Sequence, residues 1–134
     1  MPKTQRPPLS ENQTEIMNIV WQHGEAGVAL VLDELQKRRP LSRNTVQTML
    51  SRLATKGWLK ARKDGNAFVY TPAVERKKTL GEMVRQLVDV AFGGSAQGLV
   101  MTLLEERGLD VDEKVRIQKM LNAAKTRTRT DGGK

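Results

Sequence analysis

The sequence predicts a mostly α-helical protein interrupted by one small β-hairpin, and three observations carry that prediction. Apolar residues recur at the 3.6-residue period of a packed helix in six successive stretches. Between the third and fourth, the runs Leu59 to Lys63 and Ala67 to Thr71 flank a polar Asp64-Gly65-Asn66 tip, as in a tight hairpin. Finally, the stretch from Lys37 to Lys63 holds nine basic residues and no acid, and one helical pattern runs through its middle.

Residues 1–8 read as a disordered arm ending in a proline pair. Ser10 then caps a first helix and Gln13 answers it in a capping box. That helix runs to about His23, stops at Gly24, and buries Ile16, Ile19 and Val20 with Met17 and Trp21 at its shoulder. A second helix repeats the pattern with Val28, Val31, Leu32 and Leu35 and ends at Lys37-Arg38-Arg39-Pro40. There the cations suit the negative helix pole and Pro40 blocks continuation. The third starts after Ser42, buries Val46, Met49, Leu50 and Leu53, and stops at Gly57. Three short helices with the hairpin behind them make a winged helix-turn-helix unit over residues 9–73. Leu59, Phe68 and Tyr70 are expected on the packing side of the hairpin.

From Glu75 the period is helical again. Leu80, Met83, Val84, Leu87, Val88 and Ala91 mark a fourth helix ending at Phe92-Gly93-Gly94. Ser95 opens a fifth, with Leu99, Val100, Leu103 and Leu104 as its stripe and Gly108 as its stop; Asp110 and Glu113 box the start of a sixth, faced by Ile117, Met120, Leu121 and Ala124. Three apolar stripes on so short a segment bury too little alone to offset chain entropy. Residues 74–124 are therefore expected to be a dimerisation domain closed by a second copy, with Leu80, Met83, Val84, Leu87, Leu99, Val100, Leu103, Leu104, Ile117, Met120 and Leu121 at the interface. Residues 125–134 form a basic tail expected to be mobile.

Composition narrows the function. A chain of 134 residues suits one compact unit with an appendage and is short for a large enzyme with a separate substrate lobe. The net charge of +8 is uneven: residues 1–73 carry +5, 74–124 are neutral and 125–134 carry +3. Phosphate is the commonest partner of such a cationic surface, so nucleic acid is favoured over an acidic protein or lipid. With no cysteine, disulfides, thiolate metal sites and thiol nucleophiles are excluded. No apolar run reaches the length of a membrane span, and the start lacks a signal-peptide pattern, so a cytoplasmic protein is expected. His23 is the single histidine and lacks partners for a metal site or triad, while the acids around Glu105 and Asp110 sit at helix ends where capping explains them. No metal or cofactor is expected.

Opposite the core face of the third helix lie Asn44, Gln47, Thr48, Ser51 and Thr55, flanked by Arg43 and Arg52. Amide, hydroxyl and guanidinium groups are those that read base edges and grip phosphates in a major groove. An ordinary solvated face is the bland alternative, but such faces normally mix charge signs and this one has no carboxylate. Arg43, Asn44, Gln47 and Thr48, in the first turns, would enter the groove, with Asn44 or Gln47 making a bidentate contact to adenine. Arg52 and Lys56 would meet phosphates. In the hairpin, Lys60, Arg62 and Lys63 suit DNA backbone or minor groove equally with a charged, aggregation-resistant sheet edge.

Leu9-Ser10, Glu15-Ile16-Met17, Trp21, the run Thr45 to Leu53 followed by Lys56-Gly57-Trp58-Leu59, Tyr70-Thr71-Pro72 and Phe92-Gly93-Gly94-Ser95 together resemble the BlaI/MecI family of penicillinase repressors, over about residues 9–124. The resemblance implies a homodimeric winged-helix repressor on a double-stranded DNA operator with dyad symmetry, contacting it through Arg43, Asn44, Thr45, Gln47, Thr48 and Arg52. It also implies signalling by a membrane-bound sensor protease and cleavage of the repressor at an Asn-Phe bond in the fifth helix, but here the corresponding pair is Thr102-Leu103. Copper-responsive relatives carry C-terminal cysteines that this chain lacks. The alternative function is a non-specific architectural or RNA-binding winged helix, which would bind with strong salt dependence and no sequence preference.

Overall fold

A computed structural model describes residues 6–124. In chain order the elements are α1 (Glu11–His23), β1 (Ala26–Gly27), α2 (Val28–Gln36), α3 (Arg43–Thr55), β2 (Leu59–Asp64), β3 (Ala67–Pro72), α4 (Arg76–Ala91), α5 (Ala96–Glu106) and α6 (Val111–Ala123). The mostly helical architecture with a hairpin wing is as the sequence predicts. The expected tail at 125–134, and residues 1–5 of the expected arm, lie outside the described residues.

Helices begin where a side chain can satisfy their free N–H groups. Ser10 and Gln13 close a full capping box on α1, with the Gln13 amide accepting from the Ser10 N–H at 2.9 Å and Ser10 Oγ accepting from the Gln13 N–H at 3.2 Å. Asp110 caps α6 at 2.7 Å, but Glu113 does not reach back; its carboxylate instead pairs with Arg107 at 3.5 Å, so the expected box is half formed. The stop of α3 is a Schellman turn: Trp58 N–H bonds the Leu53 carbonyl, Gly57 N–H bonds that of Ala54, and Gly57 has φ +90°. Only glycine adopts that backbone without strain.

Two elements depart from expectation. The second helix ends at Gln36, not in the basic cluster, and the cluster turns back toward α1. Arg38 and Arg39 bond Glu15 at 3.0 and 2.6 Å, so this carboxylate, four-fifths buried, draws them away from the helix pole. In addition, Ala26 and Gly27 pair with Tyr70 and Val69 as a third, two-residue strand, giving an antiparallel sheet of order β1-β3-β2. Two residues are too few to show a period, which is why this strand leaves no trace in sequence. At the wing tip Asp64 pairs with Ala67, leaving a two-residue turn in which Gly65 alone has positive φ, +67°. Asn66, the second residue of the turn, does not share that conformation.

The chain divides into two compact units. The first runs to Met83. Its core is Ile16, Met17 and Val20 of α1, Val28, Val31 and Leu35 of α2, Val46, Leu50 and Leu53 of α3, with Ala26, Trp58, Leu59 and Tyr70. Burying each of the large aliphatic side chains contributes roughly 1.5–3 kcal/mol. Met49, expected in that core, is only partly buried at its margin. Trp58 is one member that periodicity did not mark; its indole N–H donates to the Pro7 carbonyl at 3.1 Å. Arg6 lies over the same ring at 5.7 Å and donates to the Gly57 carbonyl at 2.8 Å. Arg6 and Pro7, expected within a disordered arm, are therefore docked on the α3–β2 junction.

In the second unit, from Val84 onward, α5 and α6 have no buried residue. Leu99 and Ile117 are half-buried, whereas Val84, Leu87, Val100, Leu103, Leu104, Met120 and Leu121 are exposed. No single helix among the described residues is long and apolar enough to cross a membrane.

The Glu15 ion pairs carry a pH prediction. The hydrogen bond from Arg39 holds the Glu15 carboxyl below the usual carboxylate range, outweighing the opposing effect of burial. A depressed carboxyl stabilises the fold above its unfolded value, ~4.3, and that stabilisation disappears as pH falls through the lower folded value. Glu15→Gln is expected to lower the melting temperature at neutral pH and to flatten the acid limb of a Tm-against-pH curve; an unchanged acid limb would refute this role.

Candidate nucleic-acid interface

Helix α3 owes its start to Ser42. Its hydroxyl accepts from the Thr45 N–H at 3.1 Å and lies 2.9 Å from the Thr45 hydroxyl, so Thr45 is engaged in capping rather than freely presented. Because Val46, Leu50 and Leu53 are fully buried, the remaining face of the helix is committed to solvent, and Arg43, Asn44, Thr48, Ser51, Arg52, Thr55 and Lys56 are all exposed on it. None of the cations Arg43, Arg52, Lys56, Lys60 or Lys63 is paired with a carboxylate among the described residues. A surface of five uncompensated cations around a helix that bears amides and hydroxyls can bind phosphates while presenting donors and acceptors to base edges.

Two of the expected DNA-facing residues are otherwise engaged. Gln47 is partly buried, and its Nε2 donates to the Tyr70 hydroxyl at 3.2 Å and to Ser51 Oγ at 3.4 Å. Arg62 donates to Glu25 at 2.9 Å, and that bond strengthens its hold on its proton. Glu25 precedes β1, which lies on the far side of β3 from β2, so the pair straps the wing across the sheet. Arg62 is thereby neutralised, which leaves Lys60 and Lys63 as the wing's free cations.

The hairpin register sets which wing residues share a face. Leu59, Ala61 and Lys63 stand opposite Pro72, Tyr70 and Phe68, so these six alternate with Lys60, Arg62 and Asp64. Leu59 and Tyr70 are buried as expected, but Phe68, expected to pack with them, is 44% exposed. The core ends before the distal part of the wing, and alternation alone cannot tell how far a core reaches. What sequence reasoning missed was Glu25 and Tyr70 as partners of the interface. Both act across more than twenty residues of chain, and no local pattern reports such a pairing.

Among the described residues no group of His, Cys, Asp or Glu could hold a metal ion.

The chain is similar to known proteins. The Penicillinase repressor family model matches residues 9–123. The penicillinase repressor of Bacillus licheniformis is 31% identical over 121 residues, covering 90% of this chain and 94% of that protein. The methicillin resistance regulatory protein MecI of Mammaliicoccus sciuri is 28% identical over 85% of this chain and 93% of its own length. Among solved structures, MarR from E. coli superposes with a TM-score of 0.51 over 87% of this chain and 77% of its own, at 18% identity, a likeness of fold.

Proposed function

The chain belongs to the penicillinase repressor family, and from that premise we propose that this DNA-binding repressor acts as a homodimer on an operator with two related half-sites. The observation that carries the reading is the acid-free outer face of α3, flanked by cations that no carboxylate among the described residues pairs with. Arg43, Asn44, Gln47 and Thr48 read base edges; Ser51, Arg52 and Lys56 meet phosphates, and Lys60 and Lys63 extend the grip along the wing. Thr45 serves through the cap it shares with Ser42, and Arg62 through its strap to Glu25. In the second unit the exposed stripe of Val84, Leu87, Val100, Leu103, Leu104, Met120 and Leu121 is the surface a second copy covers, and the sequence pattern adds Leu99 and Ile117 there and Leu80 and Met83 at the end of the first unit.

The direct test is binding to duplex from upstream of the chain's own gene. At physiological salt it should bind far more tightly than scrambled duplex, and equal affinity for the two would overturn specific repression in favour of the architectural reading. The wing has its own signature. Replacing Lys60 and Lys63 by alanine should weaken binding to all sequences alike and reduce the slope of log K against log salt by about 0.9 for each phosphate no longer neutralised. Arg62→Ala should change that slope less, because Glu25 already compensates the charge.

Thr102 and Leu103 replace the Asn-Phe pair and lie inside α5, where the Thr102 hydroxyl also bonds the Gly98 carbonyl at 2.9 Å.

A further inference from the structure

We infer that Tyr70 is a specificity-positioning residue, which holds Gln47 so that its carbonyl oxygen, and not its amide hydrogens, faces the DNA. This rests on the base-reading role proposed for α3. Tyr70 is 2% exposed, and its backbone lies in the central strand, paired with Ala26 on one side and Ala61 on the other. Its hydroxyl is therefore a fixed point. The Gln47 amide has two hydrogens, and the structure directs Nε2 at two hydroxyls, Tyr70 at 3.2 Å and Ser51 at 3.4 Å. With both hydrogens directed at hydroxyls of the protein, Oε1 is the polar atom left for a ligand.

The consequence is chemical selectivity. A glutamine free to turn reads adenine in bidentate fashion, donating to N7 and accepting from N6, but one held by its nitrogen offers only an acceptor. In the major groove the bases that offer a donor are adenine and cytosine, through their exocyclic amines, whereas guanine and thymine present acceptors. Gln47 should therefore accept either adenine or cytosine at its position and reject guanine and thymine. Asn44, exposed and without a side-chain partner among the described residues, keeps the bidentate adenine contact. Tyr70 also fixes the rotamer of a long side chain before DNA arrives, so less conformational freedom is lost on binding.

The test uses the full chain on a library of duplexes with a randomised core, followed by titration of the enriched duplex and its single-position variants. The proteins are the wild type, Y70F, Q47A and the double variant. In the wild type one position of each half-site should favour adenine or cytosine over guanine or thymine by ~10-fold, within the range of one good base contact. In Y70F that preference should fall to about twofold at that position alone, with the salt slope unchanged, and the double variant should discriminate no worse than Q47A. If the wild type enriches no sequence, the specific-repressor reading fails and this inference with it. If the wild type discriminates and Y70F does so equally, or if Y70F blurs every position alike, the inference alone is overturned. Should Y70F not fold, Ser51→Ala carries the test: it frees one Gln47 amide hydrogen, so adenine should gain over cytosine at that position through the bidentate contact, and an unchanged preference overturns the inference.

Discussion

Replacing Leu103 by glutamate is expected to convert a dimer into a monomer and to abolish tight operator binding. Leu103 is 45% exposed in the middle of α5 and has Val100 and Leu104 beside it on the helix surface, both also exposed. A chain bearing so many uncovered aliphatic side chains on three short helices leaves unused the hydrophobic stabilisation that a second copy would supply at about 25 cal/mol per Å². A carboxylate in that interface would have to be desolvated without a partner, at a cost of several kcal/mol. Light scattering should give a concentration-dependent dimer mass for the wild type and a monomer for the variant. Because two linked recognition helices bind with an effective concentration that a single one lacks, affinity for a two-site operator should fall by ~10²–10⁴, while affinity for an isolated half-site stays unchanged. A wild-type chain that is monomeric at all concentrations would refute the proposal.

The second large effect concerns stability. Leu50 is fully buried between Val46 and Leu53, in one core with the apolar faces of α1 and α2. Leu50→Ala is expected to cost ~2–5 kcal/mol through reduced burial and the cavity left behind. For a domain of this size that is a large part of the total. Urea denaturation should show the midpoint falling with little change in slope, and DNA binding should disappear at temperatures where the variant unfolds. A destabilisation under about 1 kcal/mol would mean that the core can close around the gap.

Much of the first unit is legible in the sequence because its signals are local. The apolar spacing in α1, α2 and α3, the Ser10 and Ser42 caps and the glycine stop at Gly57 each lie within one or two helical turns and occur where expected, except that Ile19, Leu32 and Met49 are only partly buried. The wing strands are legible too, except that Asp64 belongs to β2 and shortens the tip. What sequence does not reveal involves partners far apart along the chain. Arg38, Arg39 and Arg62 count as free cations in a composition, yet each meets a glutamate more than twenty residues away. A run of like charge shows the net field of a segment but not which of its members are already compensated.

By itself the sequence determined the helical order, the hairpin, the face of α3 that points outward and the charge that makes phosphate its partner. Periodicity and capping are properties of neighbouring residues, and net charge is a property of composition. Only the tertiary structure decided which side chains on that face are free. It ties Gln47 to Tyr70, Thr45 to Ser42 and Arg62 to Glu25, and leaves Arg43, Asn44, Thr48, Arg52, Lys56, Lys60 and Lys63 without a side-chain partner among the described residues. The reason is physical: a hydrogen bond or ion pair is set by distance in space to ~3 Å, and the chain does not write such distances between residues that meet only when it folds.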